Sequence, residues 1–170
     1  MSNWKTAVLR GLALGGVAAV AVSAQPALAT DTTGTLSVTA TVTSNCAVST
    51  TAVAFGNVDV TLNANVDATG GISVTCTNGT AWTAKAAAGG GSGATITDRK
   101  MTSGANLLNY GLYTDSARTT VWGDGTTGSA ITGTGTGAVQ ASTIYGRVPS
   151  GQTTKPVGSY ADTVTVTVTY

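Results

Sequence analysis

The sequence contains no histidine and no glutamate. Without histidine the usual general base at neutral pH is missing, and with it every Ser-His-Asp or Cys-His arrangement. Only 9% of the residues are charged, and all seven acidic residues are aspartate. Aromatic residues make up 5%, with Phe55 the single phenylalanine, and there are three prolines and two cysteines. Two cysteines with no histidine cannot complete a zinc tetrahedron, so neither a metal nor a cofactor is expected. Asp98 and Asp124 could in principle meet as a glycosidase carboxylate pair, but isolated aspartates are commoner in turns. Asp124, between Gly123 and Gly125, is a single carboxylate where calcium wants six to eight oxygens. The glycine-rich run Gly133–Gly137 opens no helix and has no lysine placed for a phosphate. No enzymatic activity is expected.

The N-terminus carries Lys5 and Arg10, an apolar small-residue run from Gly11 to Ala24, and then Ala27-Leu28-Ala29. This order reads as a secretory signal peptide over residues 1–29, cut after Ala29. A membrane anchor is the competing reading, but the run is short and rich in glycine and alanine. Cleavage leaves Thr30 to Tyr170, enough for one domain with a real core. In that mature chain six basic residues face seven aspartates with no clustering. Such a surface offers no footprint for nucleic acid or an anionic membrane, and the mature chain is not expected to span one.

What the sequence does have is threonine, valine and glycine, a β composition. Val164, Val166, Val168 and Tyr170 alternate with threonines at 163, 165, 167 and 169. Leu36, Val38, Ala40 and Val42 alternate with Thr35, Ser37, Thr39, Thr41 and Thr43 in the same way. Both segments predict half-buried strands. Further strands are predicted near Val48–Phe55, Ile72–Cys76, Ala81–Ala87, Leu107–Tyr113 and Thr143–Val148. Asn78-Gly79 predicts a type I′ hairpin turn between two of them. Gly89–Gly93 and Gly123–Gly137 read as loops. Short strands separated by such turns predict a sandwich of two antiparallel sheets, as in immunoglobulin-like domains. In an exported chain, Cys46 and Cys76 predict a disulfide, with buried free thiols as the alternative.

One succession of motifs is more specific. Phe55-Gly56-Asn57-Val58-Asp59 comes first, then Ile72 to Gly79, then Arg99-Lys100-Met101. Tyr110 to Asp115, Trp122 to Gly125, Tyr145 to Gln152 and Gly158 to Val164 follow in order, and the chain runs on to Tyr170. This succession resembles the spore coat protein U family, which includes pilins of archaic (Csu-type) chaperone-usher pili. The resemblance implies an all-β, immunoglobulin-like sandwich lacking its last strand, with a hydrophobic groove beside the strand that precedes the gap. It implies completion by donor-strand exchange, a periplasmic chaperone that fills the groove first, an outer-membrane usher, and identical or related pilin subunits as partners. It also implies secretion through the periplasm to a cell-surface fimbrium used in adhesion and biofilm formation.

Alternation assigns residues to those roles. The donor strand would lie in residues 30–45, with Leu36, Val38, Ala40 and Val42 inserted, and residues 46–170 would form the incomplete domain. Val164, Val166, Val168 and Tyr170 would line the acceptor groove. The last strand is expected to run on to Tyr170, which would leave its open edge without a partner. Self-filling is disfavoured, because only Ser44 and Asn45 separate the donor from the first strand and a parallel crossover needs about a dozen residues. Leu36 to Val42 as an ordinary first strand remains the competing reading. A single domain fits a rod or minor subunit better than a tip adhesin. The alternatives are a spore-coat-type structural protein, or a monomeric carbohydrate-binding module presenting Trp82 or Trp122.

Overall fold

A computed structural model describes residues 28–170, so the signal peptide expected over residues 1–29 lies almost wholly outside the described residues. The chain divides into two units, Met1–Thr39 and Ala40–Tyr170. In the first, residues 28–39 are exposed and belong to no helix or strand.

The second unit is all β apart from one 3-10 turn, Val60–Leu62. Its strands are β1 (Cys46–Thr51), β2 (Val66–Cys76), β3 (Ala81–Ala86), β4 (Arg99–Ser103), β5 (Asn106–Tyr113), β6 (Ile131–Thr134), β7 (Gln140–Val148) and β8 (Val166–Thr169). One sheet has the order β1-β2-β7-β5-β4 and the other the order β6-β3-β8, and every strand pairing is antiparallel. The core is built from period-two alternation, with Ile72, Val74 and Cys76 from β2 and Ile144 and Val148 from β7. Trp82, Ala84 and Ala86 from β3 and Leu108, Tyr110 and Leu112 from β5 complete it, joined by Trp122.

Among the described residues, the one charged residue with a fully buried side chain is Arg99, at the start of β4, with no exposed surface. Its guanidinium donates to the carbonyls of Ala87 (3.0 Å), Ile96 (2.7 Å) and Trp122 (2.8 Å). The three bonds compensate much of the cost of burying the cation and tie two points of the β3–β4 connection and one of the β5–β6 connection together.

Four expectations need correction. Asn78-Gly79 is a turn but not a hairpin. Thr80 N donates to the Thr77 carbonyl at 3.0 Å, and of the two central residues only Gly79 has a positive φ, +83°. That is the type II pattern, which splays strands, and β2 and β3 accordingly enter different sheets. The stretch 123–137 is not all loop, because β6 lies inside it. Gly133 there is a close approach rather than a turn, since a Cβ would sit 2.4 Å from Trp82 Cζ2. The first strand stops at Thr51 rather than Phe55. Val53 and Phe55 instead lie across β7 at Gly146, where a Cβ would come within 2.5 and 2.9 Å of them. Finally, residues 35–43 form no strand, because strand geometry is held by a paired edge and among the described residues no strand pairs with them.

Candidate functional site

The second sheet ends abruptly at β8. It pairs with β3 alone, and among the described residues no strand pairs with its other edge. Along β8 the valines face the core and the threonines face solvent. The burial of partners across the β3–β8 ladder is unequal. Ala84 and Ala86 are 0% and 1% exposed, whereas Val168 and Val166, directly opposite them, are only half-buried. Val164 continues the half-buried row, and Tyr170 is 54% exposed. A core-facing row left half open is what a missing neighbour strand produces.

The gap has a far wall. β1 is the edge of the first sheet, and Val48 on it is 43% exposed. Tyr170 Oη donates to Asn45 Oδ1 at 3.4 Å, which brings the end of β8 beside the start of β1. Beyond β1 the segment from Val53 to Val60 runs across the inner face of the sheet, and between it and residues 155–160 opens a cleft of about 510 Å³. Val53, Phe55, Val58, Met101, Leu108 and Tyr160 line it. Sequence periodicity identified the β8 row but not this cleft, because its walls come from irregular backbone. The signal present was Phe55, the lone phenylalanine, followed by Gly56 with φ +65°.

The segment from Gly34 to Thr43 is placed as an exposed, unpaired stretch. Leu36 and Val38 are 88% and 83% exposed in the first unit, and in the second unit Ala40 is exposed and Val42 is 84% exposed. Its exit from the domain is pinned at Thr77. The hydroxyl of Thr77 donates to the Thr43 carbonyl (3.4 Å) and accepts from Asn45 N (3.1 Å), while Thr77 N donates to the Asn45 carbonyl (2.9 Å). The adjacent Cys46 and Cys76 are joined by a disulfide.

The chemistry of the remaining candidates is local. Asp98 accepts from Asn109 Nδ2 at 2.7 Å and lies 3.7 Å from the Lys100 ammonium. Asp124 accepts from the backbone N–H groups of Thr126 and Thr127, which together hold its pKa below the ordinary carboxylate value. Asp124 closes its own turn, and Asp98 ties the start of β4 to β5. Trp82 and Trp122 are 4% and 2% exposed, so neither is presented to a sugar, and the carbohydrate-binding reading loses its aromatics. Among the described residues no group of three or more His, Cys, Asp or Glu side chains could hold a metal ion, and no helix is long and apolar enough to cross a membrane.

Comparison with known proteins places this architecture. One chain in the crystal structure of the CsuC-CsuE chaperone-tip adhesion subunit pre-assembly complex, from the archaic chaperone-usher Csu pili of Acinetobacter baumannii, is similar at a TM-score of 0.54 and 24% identity. The similarity covers 76% of this chain and 40% of that one, so this chain spans less than half of the neighbour's length, and what the two share is the fold. No curated protein matches. The model of the Spore Coat Protein U domain matches residues 32–167, from before the exposed alternating segment to within β8. With a match that takes in nearly every element described above, the chain belongs to the Spore Coat Protein U domain family.

Proposed function

We propose that this chain is a structural pilin that polymerises by donor-strand exchange, with residues 30–45 of one copy completing the sandwich of another. The observation that carries the reading is the unequal burial of facing residues on β3 and β8, in a chain that also holds an exposed segment of matching alternation. A strand antiparallel to β8 would set Leu36, Val38, Ala40 and Val42 beside Tyr170, Val168, Val166 and Val164. Main-chain pairing with an exposed edge, plus pockets for alternate side chains, is an established recognition mode. Burying Leu36, Val38 and Val42 contributes roughly 1.5–3 kcal/mol each, and each ladder hydrogen bond adds on the order of 1 kcal/mol. The total competes with an association cost of about 4–15 kcal/mol, and the acceptor also gains its own missing strand.

The donor cannot reach its own groove in that orientation. Such a strand would place Thr43 near the start of β8, whereas Thr77 holds Thr43 and Asn45 at the end where β8 finishes. The groove from Val164 to Tyr170 is roughly 20 Å long at strand spacing. The three residue steps from Thr43 to Cys46 reach about 10 Å. Donation to a second molecule is the remaining solution.

On this reading a periplasmic chaperone covers the groove until an outer-membrane usher exchanges it for the next subunit. The product is an extracellular, cell-surface fibre serving adhesion and biofilm formation, and the role is structural rather than enzymatic. The test is denaturing electrophoresis of purified fibres with and without boiling. A ladder of multimers that collapses to monomer only on heating is expected; monomer alone in unheated samples would refute the proposal.

A further inference from the structure

Fibre assembly by strand exchange, on which this inference rests, dictates which ends of consecutive domains meet. The donor leaves its own domain at the end formed by Asn45, Thr77 and Tyr170. Running antiparallel to β8 of the acceptor, it finishes at the opposite end, where the 53–60 and 155–160 segments enclose the cleft. Only Ser44 and Asn45 then intervene before Cys46 of the incoming domain. With so short a tether, the cleft end of one subunit has to lie against the donor-exit end of the next.

Both ends are shaped for contact. Leu62 and Val157 project at the cleft end, 72% and 101% exposed. Val139 projects at the donor-exit end, 66% exposed, on the loop whose Gly137 N donates to the Cys76 carbonyl. That loop, the Thr77–Ala81 turn and the Ser44–Asn45 exit carry no charged residue. The large exposed apolar side chains of residues 40–170 thus fall on the donor, the groove rim or these two ends. A chain with so few of them has placed them where a second copy would arrive.

We propose that Leu62 and Val157 of one subunit pack on the Val139 loop of the next, forming an end-to-end junction that fixes the angle between successive domains in addition to the donor strand. The test uses fibres sheared from cells expressing Val139→Cys with Val157→Cys, treated with a flexible bis-maleimide. The three positions are exposed, and among the described residues the parent has no free cysteine to compete. The expected result is a multimer ladder that survives boiling in the double variant but collapses to monomer in either single variant. Leu62→Cys paired with Val139→Cys should behave alike. A ladder present before boiling that collapses in both double variants despite the reagent overturns the junction while leaving strand exchange standing. No ladder even before boiling removes strand exchange, and the junction falls with it.

Discussion

Tyr110 donates its hydroxyl proton to Asp162 at 2.6 Å, tying β5 of the larger sheet to the residues that lead into β8. The other carboxylate oxygen accepts from Gly90 N and Thr163 N, both at 2.8 Å. Asp162 thereby anchors the start of the groove strand to the sheet beneath it. Gly89 is required beside it, because a Cβ there would meet the carboxylate oxygen at 2.0 Å.

Burial and the Asp162 hydrogen bond push the Tyr110 phenol far above its ordinary 10.0. The unfolded chain loses this proton first as the pH rises, so the stability it contributes is whole below pH 10 and declines above it. Tyr110→Phe should lower unfolding stability by about 1.5–3 kcal/mol at neutral pH, the worth of a hydrogen bond to a charged group. It should also flatten the alkaline decline. Denaturant titrations at pH 7 and pH 11 check both; an unchanged pH 7 midpoint would show the link to be idle.

Arg99→Lys keeps the charge and should still be costly. One ammonium cannot take over the planar geometry with which the guanidinium meets three carbonyls on two connections. Each buried carbonyl left without a donor costs about 1–3 kcal/mol. A clear fall in thermal midpoint is expected, and a melting curve superimposable on the parent's would count against the anchoring role.

Much of the two-sheet sandwich was legible in the sequence because alternation reports which face of a strand meets the core. Val166, Val168 and the buried β2 and β7 residues all follow that rule. It failed where glycine carries two meanings: Gly133 was read as a breaker, yet it makes room for the Trp82 ring within a strand. It failed also at Arg99, since a charge inside the core has no periodic signature and two of its three acceptors, Ala87 and Trp122, are 12 and 23 residues away. The Tyr110–Asp162 link spans 52 residues and was likewise invisible. Alternation named both apolar rows, but it could not separate a strand paired in its own sheet from one that stays unpaired, because that difference lies in the neighbours.

Acid should weaken the domain through a small set of aspartates. Asp67 receives two hydrogen bonds from Arg147, at 2.7 and 2.8 Å, and Arg118 approaches to 3.3 Å. The Arg147 bonds, with the attraction of both cations, hold its pKa below 3.8 against the desolvation that opposes them. Asp59, Asp115 and Asp124 are lowered as well, chiefly by bonds from Thr61, Thr120 and Thr127. As the pH falls the unfolded chain binds protons first, so their contribution is whole above about pH 4 and is lost through the range beneath 3.8. Denaturation midpoints should hold steady from pH 7 to 5 and drop by pH 3, with a shallower drop in Asp67→Asn; equal slopes in the two proteins would contradict this.

Strand exchange predicts a division of labour between two single substitutions. Val38→Asp would introduce a charge on the donor, where the side chain is 83% exposed, so export and folding of the subunit should be unaffected. In the fibre that carboxylate would be driven into an apolar groove, at a cost of several kcal/mol, and multimers should vanish. Val168→Asp places the same charge on the acceptor, opposite Ala84 in a core-facing row. It should abolish fibres too, but with a lower yield of monomer, because Val168 is already half-buried before any partner arrives. Mixing the two variants gives the sharpest reading. A Val168→Asp subunit still carries an intact donor and a Val38→Asp subunit an intact groove, so the pair should form heat-sensitive dimers but no longer chains. Dimers from neither variant alone and from the mixture only are the expected pattern, and wild-type ladders from Val38→Asp would remove the donor from residues 36–42.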